Sequence, residues 1–257
     1  MKNILYLLIL SYSTTLAQPA TYSTANAHSH NDYEQPVPLY TAYYSGFGSI
    51  EADIFLRNDS LLVAHTVKDL DKGRTLEDLY LKPLQAFIDN HKGYVYADTT
   101  RNLQLMIDIK TEAVSTLNKL VALLQKYPSL IRSSSLRIVI SGNRPDASTF
   151  TTWPSWIWFD GVLGVSYSKE ALSRIAMLSD DMKKYTKWNG NNKIPANDWN
   201  NLKNAVEHAH QLQKTVRFWG GPDFMDAWQQ LIELKVDYIN TDSIKALSAY
   251  LNSMAKD

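Results

Sequence analysis

The order of apolar and polar positions predicts a repeating strand–helix alternation. Short β-rich runs occur at Asn26–His30, Ser49–Leu56, Leu103–Lys110, Leu136–Ser141, Asp160–Val165, Lys184–Trp188, Thr215–Trp219 and Val236–Thr241, with Lys184–Trp188 the weakest. Leu61–His65 either extends the second run or folds back on it, because Asn58-Asp59 is a turn signal. Between these runs lie segments with apolar residues at helical spacing: Leu76–His91, Glu112–Lys126, Lys169–Leu178, Asn197–Gln213, Phe224–Leu234 and Ser243–Met254. Strands alternating with helices imply a parallel sheet covered by helices. Eight strands with a comparable number of helices predict a closed α/β architecture, a (β/α)8 TIM barrel in a single domain.

Length agrees with that prediction, since a barrel of this kind takes about 250 residues and the chain has 257. The N-terminus is expected to be a signal peptide, residues 1–17. Lys2 gives the positive start, Ile4–Leu10 is an apolar run too short to span a bilayer, and Thr15-Leu16-Ala17 offers a cleavage site. A membrane anchor is the alternative for this segment. The barrel domain is then residues 18–257, exported and without an integral membrane segment once the leader is removed. Cysteine is absent, which excludes disulfides, thiolate metal sites and a cysteine nucleophile. Lys plus Arg equals Asp plus Glu, 26 each. That balance, with no basic patch interleaved with aromatics, argues against a nucleic-acid partner.

Barrel chemistry sits at the C-terminal ends of the strands, so the polar residues there are the candidates. Glu51 and Asp53 alternate along an apolar strand and therefore share one face. Asp108 ends the next strand, in Leu105-Met106-Ile107-Asp108-Ile109. Three carboxylates in apolar strands are costly unless paired. A hard cation, Mg2+ or Ca2+, held by these oxygens would account for them. A salt-bridge network with Lys110 or Arg144 is the alternative. His30 and His65 lie at strand ends beside them and are candidates for general acid–base work. His28 is two residues from His30 on the same side of its strand.

The run Gly48-Ser49-Ile50-Glu51-Ala52-Asp53-Ile54, then His65, then Leu105–Lys110, resembles the glycerophosphodiester phosphodiesterase and phosphatidylinositol phospholipase C superfamily. With Asp108 as its third carboxylate, it is similar to the sphingomyelinase D branch, and the intervals between His30, Glu51, Asp53, His65 and Asp108 are similar too. Val216-Arg217-Phe218-Trp219 and Val236–Asp242 look like the family's last two strands. The chain departs from the usual His-Arg-Gly opening and carries His28-Ser29-His30-Asn31-Asp32 instead. In its Ser-His-Asn-Asp-Tyr it resembles a subgroup related to a fungal protein named for altered mitochondrial inheritance.

The resemblance implies a metal-dependent phosphodiesterase acting on a glycerophosphodiester or a small or lipid-like phosphodiester. Glu51, Asp53 and Asp108 would hold the metal, and His30 and His65 would be the acid and base. Lys110, Arg144, Trp219 and Asn143 would contact substrate. His28 and Asn31 would stand behind the site as hydrogen-bond partners. Two other functions stay open. One is an amidohydrolase or histidinol-phosphatase-type metal hydrolase using His28-x-His30; the other is a non-catalytic binding protein on the same barrel.

Overall fold

A computed structural model describes residues 19 and 21–254, so the expected signal peptide lies outside the described residues. Eight parallel strands form the barrel wall: β1 (Ala27–Ser29), β2 (Ser49–Arg57), β4 (Leu103–Ile109), β5 (Leu136–Gly142), β6 (Ile157–Val162), β7 (Ile175–Asp181), β8 (Thr215–Trp219) and β9 (Ile239–Thr241). Strand β3 (Ser60–Val63) is antiparallel to β2 and completes a hairpin. The hydrogen-bonded order is β8-β7-β6-β5-β4-β2-β1-β9. A parallel bridge between Arg217 and Tyr238 draws the two ends together. The structure is thus the expected single-domain (β/α)8 barrel, with its wall nearly closed. Among the described residues, no helix is long and apolar enough to cross a membrane.

Alternation along the strands divides the two faces. Ile50, Ala52 and Ile54 of β2, Leu105, Ile107 and Ile109 of β4, and Ile138 and Ile140 of β5 all join the main core. That core also takes in Leu117, Leu120 and Leu124 of helix α3 (Ala113–Leu124). The residues between them face inward. Met106, Val139 and Met177 form a separate small apolar cluster, and Glu51, Asp108, Ser141 and Arg217 line a cavity. Period-two side chains make this inevitable: the positions that skip the outer core are the ones the barrel can use for chemistry.

Most elements fall where the pattern puts them; the sixth barrel strand does not. Lys184–Trp188 is not a strand, and the expected helix Lys169–Leu178 is in fact a short helix, α5 (Lys169–Leu172), followed almost at once by β7. Ser168 caps α5 by accepting from the Ala171 amide. Ala171, Leu172, Ile175 and Leu178 therefore sit at helical intervals although two elements contribute them. Strand β6 also begins earlier than expected, at Ile157, which moves Asp160 from a strand start into the barrel wall.

The loop after β1 carries its own support. Asp32 is completely buried and accepts hydrogen bonds from the Leu39 amide at 2.5 Å, Ser29 Oγ at 2.8 Å and Tyr80 Oη at 2.9 Å. Its neighbours His30, Asn31 and Tyr33 all belong to the site described below. Asp32→Ala leaves three buried donors without an acceptor. The expected loss is about 2–4 kcal/mol of stability in urea titration; a loss within 0.5 kcal/mol would show that the loop does not depend on this carboxylate.

Candidate active site

Parallel register sets Asp53 of β2 directly beside Asp108 of β4. Together with Glu51 they offer oxygens that all lie within 4.8 Å of one another. Lys110 Nζ stands 3.0 Å from both Asp53 Oδ2 and Asp108 Oδ1. This ion pairing exists, as the salt-bridge alternative required, but it does not satisfy the cluster: Asp53 Oδ1 is buried with no hydrogen-bond partner among the described residues. Burial, and then repulsion from Glu51 and Asp108, push the Asp53 carboxyl up to about 6, against the pull of Lys110 and Tyr33. Burial raises Asp108 too, with Lys110 opposing. A buried, all-oxygen set of three carboxylates with one bridging lysine fits a hard divalent cation.

Glu51 is held differently. Burial alone would raise it, but Arg217 and His28 outweigh burial and keep it well below the carboxylate range. Arg217 Nη1 donates to Glu51 Oε2 at 2.5 Å. On the other side His28 Nε2 lies 2.8 Å from the same oxygen, and His28 Nδ1 lies 2.7 Å from Ser49 Oγ. Gln104 Nε2 donates to Ser49 Oγ at 3.2 Å. Burial, reinforced by Arg217, lowers the fully enclosed His28 to about 3, so its ring is neutral. Arg217 Nη1 also lies 2.5 Å from His28 Nε2, so a neutral ring serves one of two neighbours at that nitrogen: Nε2–H donates to Glu51, or bare Nε2 accepts from Arg217. His28 thus stands behind Glu51, within hydrogen-bond distance of it. With both ring nitrogens held against Ser49, Glu51 and Arg217, His28 is not free to pair with His30 as a metal ligand.

Both candidate histidines reach the cavity. His30 Nδ1 is 2.9 Å from Asp242 Oδ1, and its Nε2 is 3.9 Å from Glu51 Oε1. Burial would lower its pKa, but the Asp242 hydrogen bond and the Glu51 charge prevail and raise it. Asn31, in a left-handed turn at φ 45°, places its amide 3.0 Å from His30 Nδ1. His65 arrives by the β2–β3 hairpin, whose pairing of Ile54 with Val63 returns the chain beside Asp53. Its Nδ1 lies 3.7 Å from Asp53 Oδ2 and 3.2 Å from Tyr33 Oη, and Tyr33 donates to Asp53 Oδ2 at 2.7 Å.

The opposite wall comes from β5 to β8. The cavity is about 350 Å³, and Arg144 and Trp219 line it. Arg144 Nη1 donates to the Asp160 carbonyl oxygen and lies 3.8 Å from Asp160 Oδ2. Trp219 is at the rim, 39% exposed. Asn143 departs from expectation: it does not line the cavity, and its amide donates to the Thr111 carbonyl at 2.9 Å. Gly142 explains why. Its φ of +67° turns the chain, and a Cβ there would come within 2.2 Å of Asp108 Oδ1.

Sequence reasoning missed Tyr33, Asp160, Ser179, Asp180, Lys184 and Arg217. Arg217 carried the same signal as Glu51, a charge at an inward position of an apolar strand. The β7 residues were hidden by the helical misreading, and Asp160 by the late start given to its strand.

Residues 20–132 match the family model of the AIM6-like phosphodiesterase domain, and residues 215–243 match that of the glycerophosphoryl diester phosphodiesterase family. Over the first of these spans the chain is similar to the AIM6-like phosphodiesterase domain. It is 27% identical to altered inheritance of mitochondria protein 6 of Kluyveromyces lactis, over 88% of this chain and 72% of that protein. It is also 27% identical to the homologue of that protein in Arthroderma benhamiae, over 87% and 82%. The crystal structure of a glycerophosphodiester phosphodiesterase from Parabacteroides distasonis superposes with a TM-score of 0.55, covering 90% of this chain and 98% of that one. At 15% identity this last likeness is one of fold. The span 20–132 contains His30, Glu51, Asp53, His65 and Asp108, and the span 215–243 contains Arg217 and Trp219.

The carboxylate cluster by itself is strained by charge. A carboxyl whose folded pKa is raised holds its proton longer folded than unfolded, so stability is fullest below the unfolded value and falls as pH rises toward the folded one. For Asp53 that window runs from its ordinary 3.8 to about 6. In chelator at pH 7.5, Asp53→Asn is expected to be more stable than the parent chain, with the gap closing toward pH 4. Urea denaturation at both pH values checks this, and a variant less stable at pH 7.5 would contradict it.

Proposed function

We propose that the chain is a divalent-metal-dependent phosphodiesterase that cleaves a glycerophosphodiester or phospholipid-like substrate, with His30 and His65 as its acid–base pair. The observation that carries this reading is the placement of two separately oriented histidines on one carboxylate cluster. His30 is tethered to Asp242, and His65 stands beside Tyr33 and Asp53. The fold and the AIM6-like match support a phosphodiester substrate.

Glu51, Asp53 and Asp108 would hold Mg2+ or Ca2+. When bound, the ion supplies Lewis-acid stabilisation of charge on a phosphoryl oxygen. Lys110, already poised between Asp53 and Asp108, adds a second positive charge where the phosphoryl group develops negative charge. Asp242 accepts from His30 Nδ1–H, which leaves Nε2 free to work in the cavity. The raised pKa of His30 suits it to deliver a proton to the leaving oxygen, with His65 taking one from the attacking hydroxyl. Arg144 and Trp219 bound the space where the rest of the substrate would lie. The amidohydrolase-type reading loses its ligand pair, because His28 is enclosed and committed to Glu51 and Ser49. Export after removal of residues 1–17 remains part of the proposal.

The deciding measurement is turnover of a panel of glycerophosphodiesters, lysophospholipids and sphingomyelin with Mg2+, Ca2+ or chelator. Activity is expected only with a cation. His30→Ala and His65→Ala should each lower kcat by about 10³-fold or more without loss of the far-UV circular dichroism spectrum. Full activity in chelator would refute the metal site, and near-normal turnover in either variant would refute the two-histidine mechanism.

Binding has a separate signature. At about one hundred times its Kd, the cation should raise Tm by roughly 5–10 °C at pH 7.5. The rise should be smaller at pH 5, where protons compete for Asp53. No shift at either pH, in a protein that binds no cation by calorimetry, would count against the carboxylate cluster as a metal site.

A further inference from the structure

Asp160 is the most enclosed charge in the cavity wall that the proposed mechanism leaves unused. It projects inward from β6 and is 1% exposed. Its Oδ2 accepts from Ser141 Oγ at 3.0 Å and Ser179 Oγ at 2.5 Å, tying β5 and β7 to β6. Its Oδ1 is buried and has no hydrogen-bond partner among the described residues, yet Asp160 lines the same cavity as Glu51, Asp108 and Lys110. The structural knot needs only Oδ2. A second carboxylate oxygen kept out of water with nothing to accept from is costly, and a ligand donor would relieve it.

The surroundings decide which donor. A phosphoryl group is repelled by a carboxylate. A cation is disfavoured as well, because Asp160 already has Arg144 Nη1 at 3.8 Å and Arg217 Nη2 at 4.0 Å. A neutral hydroxyl meets neither objection. It can donate to Oδ1, and Arg144 lines the same cavity beside it.

We propose that Asp160, supported by Ser141, Ser179 and Arg144, reads the alcohol portion of the substrate by accepting a hydrogen bond from its hydroxyl. The site thereby favours polyol headgroups over quaternary ammonium ones. This inference rests on the phosphodiesterase reading above and adds the class of headgroup to it. A site built around a buried acceptor discriminates strongly against an analogue that lacks the donor.

The test compares the methyl phosphodiester of inositol with that of choline, so that inositol supplies the only hydroxyls, using the full chain with its cation. The parent protein should favour the inositol diester at least tenfold in kcat/KM. Asp160→Ala should lower that ratio tenfold or more, and Asp160→Asn, which keeps the shape but loses the charge, about threefold to fivefold. Thermal melts show whether each variant is folded. Ser179→Ala, which frees one restraint on the carboxylate, should lower the ratio in the same direction if Asp160→Ala does not fold. Calorimetric binding of the two diesters to His65→Ala reads the same preference without turnover. If no diester is turned over but the inositol diester binds preferentially, the phosphodiesterase reading fails and the headgroup assignment stands. Equal kcat/KM for both diesters in the parent chain overturns the assignment. So does an unchanged ratio in a folded Asp160 variant.

Discussion

Three carboxylates at the top of an apolar barrel repel one another, and the rest of the site is arranged around that repulsion. Ionised groups taken out of water at this spacing destabilise the fold unless something compensates. The protein compensates unevenly. Glu51 is bracketed by Arg217 and by the Gln104–Ser49–His28 chain, and stays ionised. Asp53 and Asp108 share a single lysine, and both are raised. One carboxylate is therefore fixed in charge and position, while two remain short of positive charge. That asymmetry favours a divalent ion over a self-satisfied salt-bridge cluster.

The barrel makes this arrangement affordable by separating its two faces. Every second side chain of the wall strands joins the outer core, where strands and helices bury apolar surface. Inward positions are released from that duty. The lower ones still pack as Met106, Val139 and Met177, and the upper ones carry charge. Polar residues along the upper wall also brace one another: Asp160 links β5, β6 and β7 through two serines, and Arg217 links β8 to Glu51 of β2. Rigid strands hold the carboxylates, while the loop after β1 and the hairpin deliver the histidines. The loop can do so only because Asp32 gives it three buried hydrogen bonds of its own.

Sequence by itself determined the strand–helix alternation, the inward face of β2, and the carboxylates and histidines placed at strand ends. Each of those is written in local periodicity: Glu51 and Asp53 interrupt an apolar strand at alternate positions, and no helix or turn reading explains them. The same logic failed at β7, because a one-turn helix and a strand separated by only Ser173 and Arg174 keep apolar residues at helical intervals. It failed at Asn143 because glycine geometry at residue 142, which no periodicity encodes, turns the amide onto Thr111. Only the tertiary structure decided which partners the charges have. That Arg217, 166 residues from Glu51, is its counter-ion, that His28 is a buttress and His30 faces the cavity, and that Asp160 keeps one oxygen unpaired, all depend on barrel closure. Closure brings β8 and β9 round to β1 and β2, and long-range pairing of that kind leaves no trace in the spacing of residues along the chain.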